Sequence, residues 1–346
     1  MATVAISGVS GVLGRALVPR LEPVVDRIVG LDVRDLGPHG PAVVFHRVDV
    51  ATTDLKPLLE GIDVVIHLAG IADPIPDESL MTHVNIEGTR RLLEAASAVG
   101  ARKVVRVSST NVYGAWPNNA VPLTEDAPLR PNPGFTPAVH GAEVERLLAE
   151  WAEDHPTATV TTLRTAPVVG QGIDHLAARL LAGHPPMRIR GAAPPVQFVH
   201  VDDVVAALVL VARSDAPGVF NVAADGWLAA EDAAALMPRR LTVPVPEQVA
   251  ERALAATWST GLGEVPPSIM PYLEHPWVVA NDRLKLLGWQ PSHTNEEALI
   301  AGVPARPETL STIARYAAVA AGALAVGAAV GWWGRRARLR EQSRPA

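Results

Sequence analysis

Gly8, Gly11 and Gly14 stand three residues apart. They follow the apolar run Val4-Ala5-Ile6-Ser7 and precede a helical stretch at 15–21. A G-x-x-G-x-x-G loop between a strand and a helix is the context in which such glycines bind a dinucleotide. Gly8 permits the tight turn, Gly11 lets the backbone approach a pyrophosphate, and Gly14 lets helix and strand pack closely. Ser10, Val12 and Leu13 complete the loop, whose amides meet phosphates at the positive end of the helix dipole. A second apolar run, 28–31, ends at Asp32. An acid there bonds both ribose hydroxyls of NAD and repels the 2′-phosphate of NADP. Arg34, two residues on, would attract that phosphate instead, and the acid tips the balance toward NAD. Asp49, followed by Val50, closes the third apolar run. It is placed either to meet the adenine amino group or to cap a helix.

The elements that must position these groups are legible as strand-like runs at 4–7, 28–31, 43–48, 63–68, 103–108 and 159–164. Helical patterns lie between them, the clearest at 84–99 and 142–153. Continuous apolar strands alternating with helices predict an α/β fold, a doubly wound parallel sheet covered on both faces. Ligands of such a sheet lie at the carboxyl ends of its strands. From about 165 to 300 the chain is rich in proline, with Pro185-Pro186, Pro194-Pro195 and Pro266-Pro267, and reads as a smaller substrate lobe. The expected organisation is a dinucleotide-binding domain at 1–165 and a lobe at 166–301, partly interleaved with it. A linker at 302–312, a hydrophobic helix at 313–334 and a basic tail at 335–346 follow.

The chain has 346 residues, 48% of them hydrophobic and 19% charged, enough for a large core. A net charge of −6 argues against a nucleic-acid partner. With no cysteine there is neither a disulfide nor a thiolate metal site, which fits the cytoplasm. No histidine spacing suggests a metal site. The first strand begins within three residues of the N-terminus, which leaves no room for a signal peptide. Residues 316–333 carry no charge and reach the lower length for spanning a bilayer. Trp332 and Trp333 suit an interfacial belt, and five arginines follow. The expectation is a cytoplasmic domain associated with a membrane through this helix, which either spans or lies in the interface. A homodimer is an open expectation, since Gly327 and Gly331 have a spacing that pairs helices in lipid.

Several blocks resemble the extended short-chain dehydrogenases/reductases, in particular the NAD-dependent epimerase/dehydratase group. Asp63-Val-Val-Ile-His-Leu68-Ala69-Gly70 is similar to its fourth strand, and Asn85-Ile-Glu-Gly-Thr89 to the N-V-x-G-T of the next helix. Val107-Ser-Ser109-Thr-Asn-Val-Tyr113-Gly114 resembles its fifth strand and V-Y-G turn. Phe198-Val-His-Val-Asp-Asp-Val204 and Leu287-Gly-Trp-Gln-Pro291 resemble later signatures. The resemblance covers residues 1 to about 300. It implies a Rossmann domain, an NAD-type cofactor contacted also by Leu68, Ala69 and Gly70, and a lobe that often receives nucleotide sugars. It also implies a catalytic trio: a Ser/Thr, here Ser109, and a Tyr-x-x-x-Lys pair.

That pair is missing. Aligned on Glu145, the lysine position is Gly141 and the tyrosine position Pro137. The three tyrosines, Tyr113, Tyr272 and Tyr316, are followed four residues on by Pro117, Pro276 and Ala320. A nearby cation favours the phenolate form, so the acid/base step of the family needs both members. Candidate replacements are His140, whose ordinary pKa suits proton transfer, and Tyr113. Three readings stay open at this point. One is a membrane-associated protein that binds NAD and a ligand without the pair's redox step. Another is an active epimerase, dehydratase or reductase using Ser109 with a replacement acid/base. The third is a membrane-anchored scaffold without cofactor.

Overall fold

The computed structural model describes residues 2–173, 176, 180, 187–237 and 243–302. The expected linker, hydrophobic helix and basic tail lie outside them, apart from Gly302. Among the described residues no helix is long and apolar enough to cross a membrane.

The six strand-like runs form β1 (Thr3–Ser7), β2 (Arg27–Asp32), β3 (Val43–Arg47), β4 (Val64–His67), β5 (Lys103–Ser109) and β6 (Thr159–Thr165). Between them run α1 (Val12–Leu21), α2 (Glu78–Thr82), a π-helical turn (His83–Glu87), α3 (Gly88–Ala98) and α4 (Thr136–Asp154). Later come β7 (Val168–Val169), β8 (Met187–Ile189), β9 (Val199–His200), α5 (Val201–Arg213) and β10 (Gly218–Val222). The chain continues through α6 (Ala230–Leu236), β11 (Val243–Val245), α7 (Glu247–Ser259), α8 (Met270–Glu274), α9 (Asp282–Lys285) and α10 (Asn295–Ala301).

Seven parallel strands stand in the order β10-β6-β5-β4-β1-β2-β3. The order reverses between β1 and β4, which opens a crevice at their carboxyl ends. The seventh strand and its covering helix α5 come from residues 201–222, beyond the boundary expected at 165. Period-two alternation sends Val4, Ile6, Val64 and Ile66 to the face covered by α1 and α5. Ala5, Val29, Leu31 and Val65 face the opposite layer, built on Leu92, Ala96, Val144 and Leu148 of α3 and α4. Two smaller two-stranded pairs, β11-β8 and β7-β9, belong to the lobe. A separate cluster around Phe135, Leu254, Ile269 and Tyr272 forms its core.

A buried ionic network ties α4 to three elements of the sheet side. Arg164 of β6 donates from Nη2 to Glu145 Oε2 of α4 at 2.6 Å, with both side chains 6% exposed. Ser108 of β5 donates to Glu145 Oε1 at 2.6 Å. Arg164 Nη1 donates to the Tyr113 hydroxyl at 2.7 Å, and that hydroxyl donates to Asn221 Oδ1 of β10 at 2.8 Å. Removing one partner of such a pair leaves an uncompensated buried charge. Arg164→Met is therefore expected to destabilise the fold by about 3–5 kcal/mol in urea titrations. Arg102→Ala, which removes the exposed pair with Asp63, should cost about 0–1 kcal/mol.

His67, at the end of β4, is 1% exposed. Thr89 gives its hydroxyl proton to the Asn85 carbonyl, so His67 Nε2–H donates to Thr89 Oγ1 at 2.9 Å. Nδ1 then accepts from Ser7 at 2.7 Å. This network assigns the neutral tautomer. Burial, and then the nearby Arg106 charge, hold the imidazole pKa well below 6.5. The unfolded chain thus binds a proton below pH 6.5 that the folded chain does not. Stability from this group is complete above that pH and falls on acidification, at up to about 1.4 kcal/mol per pH unit. Denaturant midpoints measured between pH 7.5 and 5 should show that decline, and His67→Gln should flatten it.

Candidate functional site

Gly8 adopts φ +75° directly after β1, and a Cβ there would lie 2.5 Å from the Ala69 nitrogen. The two loops at the crevice therefore touch backbone to backbone, and only glycine fits. A Cβ on Gly14 would meet the Val9 carbonyl at 2.3 Å, which fixes the close seating of α1 on β1. No side chain caps the start of α1, and its first turn carries no acid. Its leading amides are left to meet an anion from the crevice, as the macrodipole favours.

Asp32 ends β2 with its carboxylate buried beside this loop. Oδ2 accepts the Ser10 amide and Oδ1 the Arg34 amide, both at 2.9 Å. The Ser10 hydroxyl donates to the Arg34 carbonyl at 2.8 Å. Each carboxylate oxygen keeps acceptor capacity for a ribose hydroxyl. Arg34 is largely exposed, with Nε 3.6 Å from Oδ1. Asp49 lies after β3, where Oδ1 accepts the Ala51 amide at 2.9 Å in a turn and no helix begins. Val50 is buried, and a Cβ on Gly88 of α3 would sit 3.2 Å from its Cγ2. Its side chain is a core group packed under α3.

A cavity of about 410 Å³ runs from this loop along the strand ends toward the lobe. Gly8, Gly11, Val12, Leu13, Gly14, Leu68 and Gly70 line its cofactor end. Ser108, Ser109, Pro137, His140 and Gly141 line its middle. Ala69 contributes its backbone beside Gly8, and the residues present fit an NAD-type dinucleotide.

Ser109 closes β5 and accepts the Asn111 amide at 3.3 Å, so it caps the following 3₁₀ turn, Thr110–Tyr113. Its hydroxyl proton remains available to a ligand. Pro137 sits in the first turn of α4, where proline is pre-organised for helix. Both positions of the absent pair thus face the cavity. A Cβ at Gly141 would approach Val112 Cγ1 to 2.8 Å, so a lysine there would require Val112 to move. None of Lys56, Lys103 and Lys285 lines the cavity. Lys103 instead caps the end of α5 through the Val211 and Ser214 carbonyls, and Lys285 pairs with Asp225 at 2.9 Å.

His140 is half-buried in the cavity wall. Its ring nitrogens have long contacts, 3.4 Å to Thr82 Oγ1 and 3.5 Å to Asn85 Nδ2. Burial lowers its pKa and outweighs the raising influence of Glu78 and Glu143. Tyr113 is 1% exposed and takes no part in the cavity wall. Burial raises its pKa, and its hydroxyl is engaged by Arg164 and Asn221. The expectation of a replacement acid at Tyr113 is corrected accordingly: the side chain points into the sheet core.

The fold adds groups that the sequence reading passed over. Arg106, a charge inside an apolar strand, is half-buried in the cavity lining and donates to the His67 and Ala69 carbonyls at 3.1 and 3.3 Å. Burial lowers its pKa to about 10. Asn85 holds the loop after β4, accepting the Ile71 amide at 2.7 Å. Phe135, Tyr272 and Trp277 form the far wall. Arg106 could have been flagged as an unpaired charge in a buried run. Tyr272 and Trp277 fall in the proline-rich segment, where no periodicity marks them. The structure also brings His200, Asp202 and His293 together, with candidate donor atoms within 4.8 Å. Histidine spacing along the chain does not show this grouping. Asp203 holds His293 through Nδ1 at 3.0 Å, a long-range contact that sequence spacing conceals.

Comparison with known proteins agrees with this geometry. A "3-diazoavenalumate denitrifying reductase" of a Streptomyces species is 32% identical over 329 residues, covering 84% of this chain and 96% of that protein. An uncharacterised protein of Mycobacterium tuberculosis is 28% identical over 309 residues, covering 85% of this chain and 81% of its own. The crystal structure of Thermus thermophilus UDP-glucose 4-epimerase in complex with NAD superposes with a TM-score of 0.67 at 21% identity, covering 87% of this chain and 97% of that one. Residues 4–223 match the model of the NAD dependent epimerase/dehydratase family, and with the Rossmann sheet and its glycine loop in place the chain belongs to that family.

Proposed function

We propose that this protein binds NAD and a small organic ligand in the common cavity without the tyrosine–lysine alcohol/ketone step of its family. The observation that carries this reading is the pairing of an intact cofactor end with Pro137 and Gly141 in the cavity wall. The glycine loop, the open start of α1 and the Asp32 carboxylate would hold the dinucleotide. Bound NAD supplies a hydride acceptor, or a donor once reduced. A phenolate beside a lysine would normally exchange the substrate proton, and neither group stands there. The names of the relatives, a reductase and a UDP-glucose 4-epimerase, support a small-molecule ligand.

A second reading is favoured by His140. A neutral imidazole on the cavity wall with two long hydrogen bonds is free to reorient toward a ligand. With Ser109 orienting a ligand oxygen, His140 would move the proton during a reduction.

The purified protein is expected to bind NADH more tightly than NADPH in fluorescence titrations. Asp32→Ser should weaken NADH binding by about tenfold and narrow that preference, as loss of charge-assisted bonds to the ribose implies. No NADH should accumulate when NAD and UDP-glucose are supplied together. Epimerisation or steady NADH turnover by the pure protein would overturn the first reading, and loss of that turnover in His140→Gln would establish the second.

The uncharged stretch 316–333 and the arginines after it support attachment of the C-terminal segment to a membrane, with the cofactor domain in the cytoplasm. A chain ending at residue 312 is then expected in the soluble fraction of lysed cells and the full chain in the membrane pellet. Equal partition of the two would refute attachment.

A further inference from the structure

The far wall of the cavity differs in character from the cofactor end. Phe135 and Tyr272 stand with ring centroids 4.9 Å apart, and Tyr272 and Trp277 meet edge to face at 5.3 Å. The polar tips of both amphipathic rings are already engaged by backbone carbonyls. The Tyr272 hydroxyl donates to the Asn111 carbonyl at 2.8 Å, and Trp277 Nε1–H to the Tyr272 carbonyl at 3.2 Å. Ile269 and Leu273 complete the surface, which therefore offers ring edges and hydrocarbon. Such rings favour offset or edge-to-face contact with another aromatic group.

Charge points the same way. Among the described residues lining the cavity, Arg106 carries the one permanent positive charge, and its guanidinium is held by the His67 and Ala69 carbonyls at the cofactor end. Asp73, the acid in the lining, receives the Leu176 amide at 2.9 Å. His140 is kept neutral by burial. A nucleoside diphosphate carries anionic phosphates, and among the described lining residues only Arg106 could offset their desolvation. A neutral ring meets no such penalty here. Asn111, which borders the same wall, keeps its carboxamide oxygen buried without a hydrogen-bond partner among the described residues.

We infer that the ligand of this cavity is a neutral aromatic compound seated on Phe135, Tyr272 and Trp277, and not a nucleotide sugar. This rests on the reading that the cavity takes a ligand beside NAD, so cofactor binding is measured first and separately, by NADH titration of the full chain. The NADH-saturated protein is then titrated calorimetrically with benzaldehyde, 4-hydroxybenzaldehyde, indole-3-carbaldehyde and UDP-glucose. At least one aromatic probe should bind and UDP-glucose should not. Trp277→Ala should weaken the aromatic probe by about tenfold, as loss of an aromatic contact and its area implies, and Trp277→Phe should recover most of that loss. If Trp277→Ala no longer binds NADH, Leu273→Ala is the variant read. UDP-glucose binding as tight as the best aromatic probe, absence of binding by all three aromatics, or an unchanged affinity in the wall variants would overturn the inference. Failure to bind NADH would instead refute the functional reading on which it rests.

Discussion

The buried contact between Glu145 and Arg164 is the interaction on which the site most depends. It joins α4 to β6 through a carboxylate and a guanidinium that are both nearly sealed from solvent. Burial makes each charge costly alone, so the pair is held in one geometry by the penalty of separation. Ser108 attaches the end of β5 to the same carboxylate, and Tyr113 and Asn221 extend the network to β10. Ser108 carries this network into the cavity lining. Ser109, Pro137, His140 and Gly141 take their positions from the strand and helix that it clamps together.

This explains how α4 keeps its place although the groups it carries in other family members are absent. Its register is set by Glu145 below and by Val144, Leu147 and Leu148 in the core. The helix start is secured by Pro137. Substitution at 137 and 141 therefore changes the chemistry of the wall while leaving the scaffold intact. Val112 has taken up the space beside Gly141, so that wall is packed around glycine.

The crevice itself follows from a different constraint. Two backbone segments, one after β1 and one after β4, come together at Gly8 and Ala69 because a glycine permits it. Asp32 reaches across to the Ser10 amide and holds the loop open toward the helix start. The lobe then adds an apolar wall to a polar cofactor end, so one cavity contains two distinct environments.

Local pattern was enough to read the strands β1 to β6, the helix-opening glycine loop and the loss of the Tyr-x-x-x-Lys pair. Strand period, glycine spacing and residue identity are properties of neighbouring positions, and buried parallel strands write themselves as apolar runs. Side-chain roles at a distance were decided by tertiary structure alone. Tyr113 looked available beside its V-Y-G turn, yet Arg164 and Asn221, 51 and 108 residues away, draw its hydroxyl into the core. Val50 next to Asp49 proved to be a packing residue under α3. The seventh strand, the aromatic wall of Phe135, Tyr272 and Trp277, and the meeting of His200 with His293 join segments separated by tens to more than a hundred residues. Their contacts follow from how the sheet closes and where the lobe seats, and no local spacing encodes them.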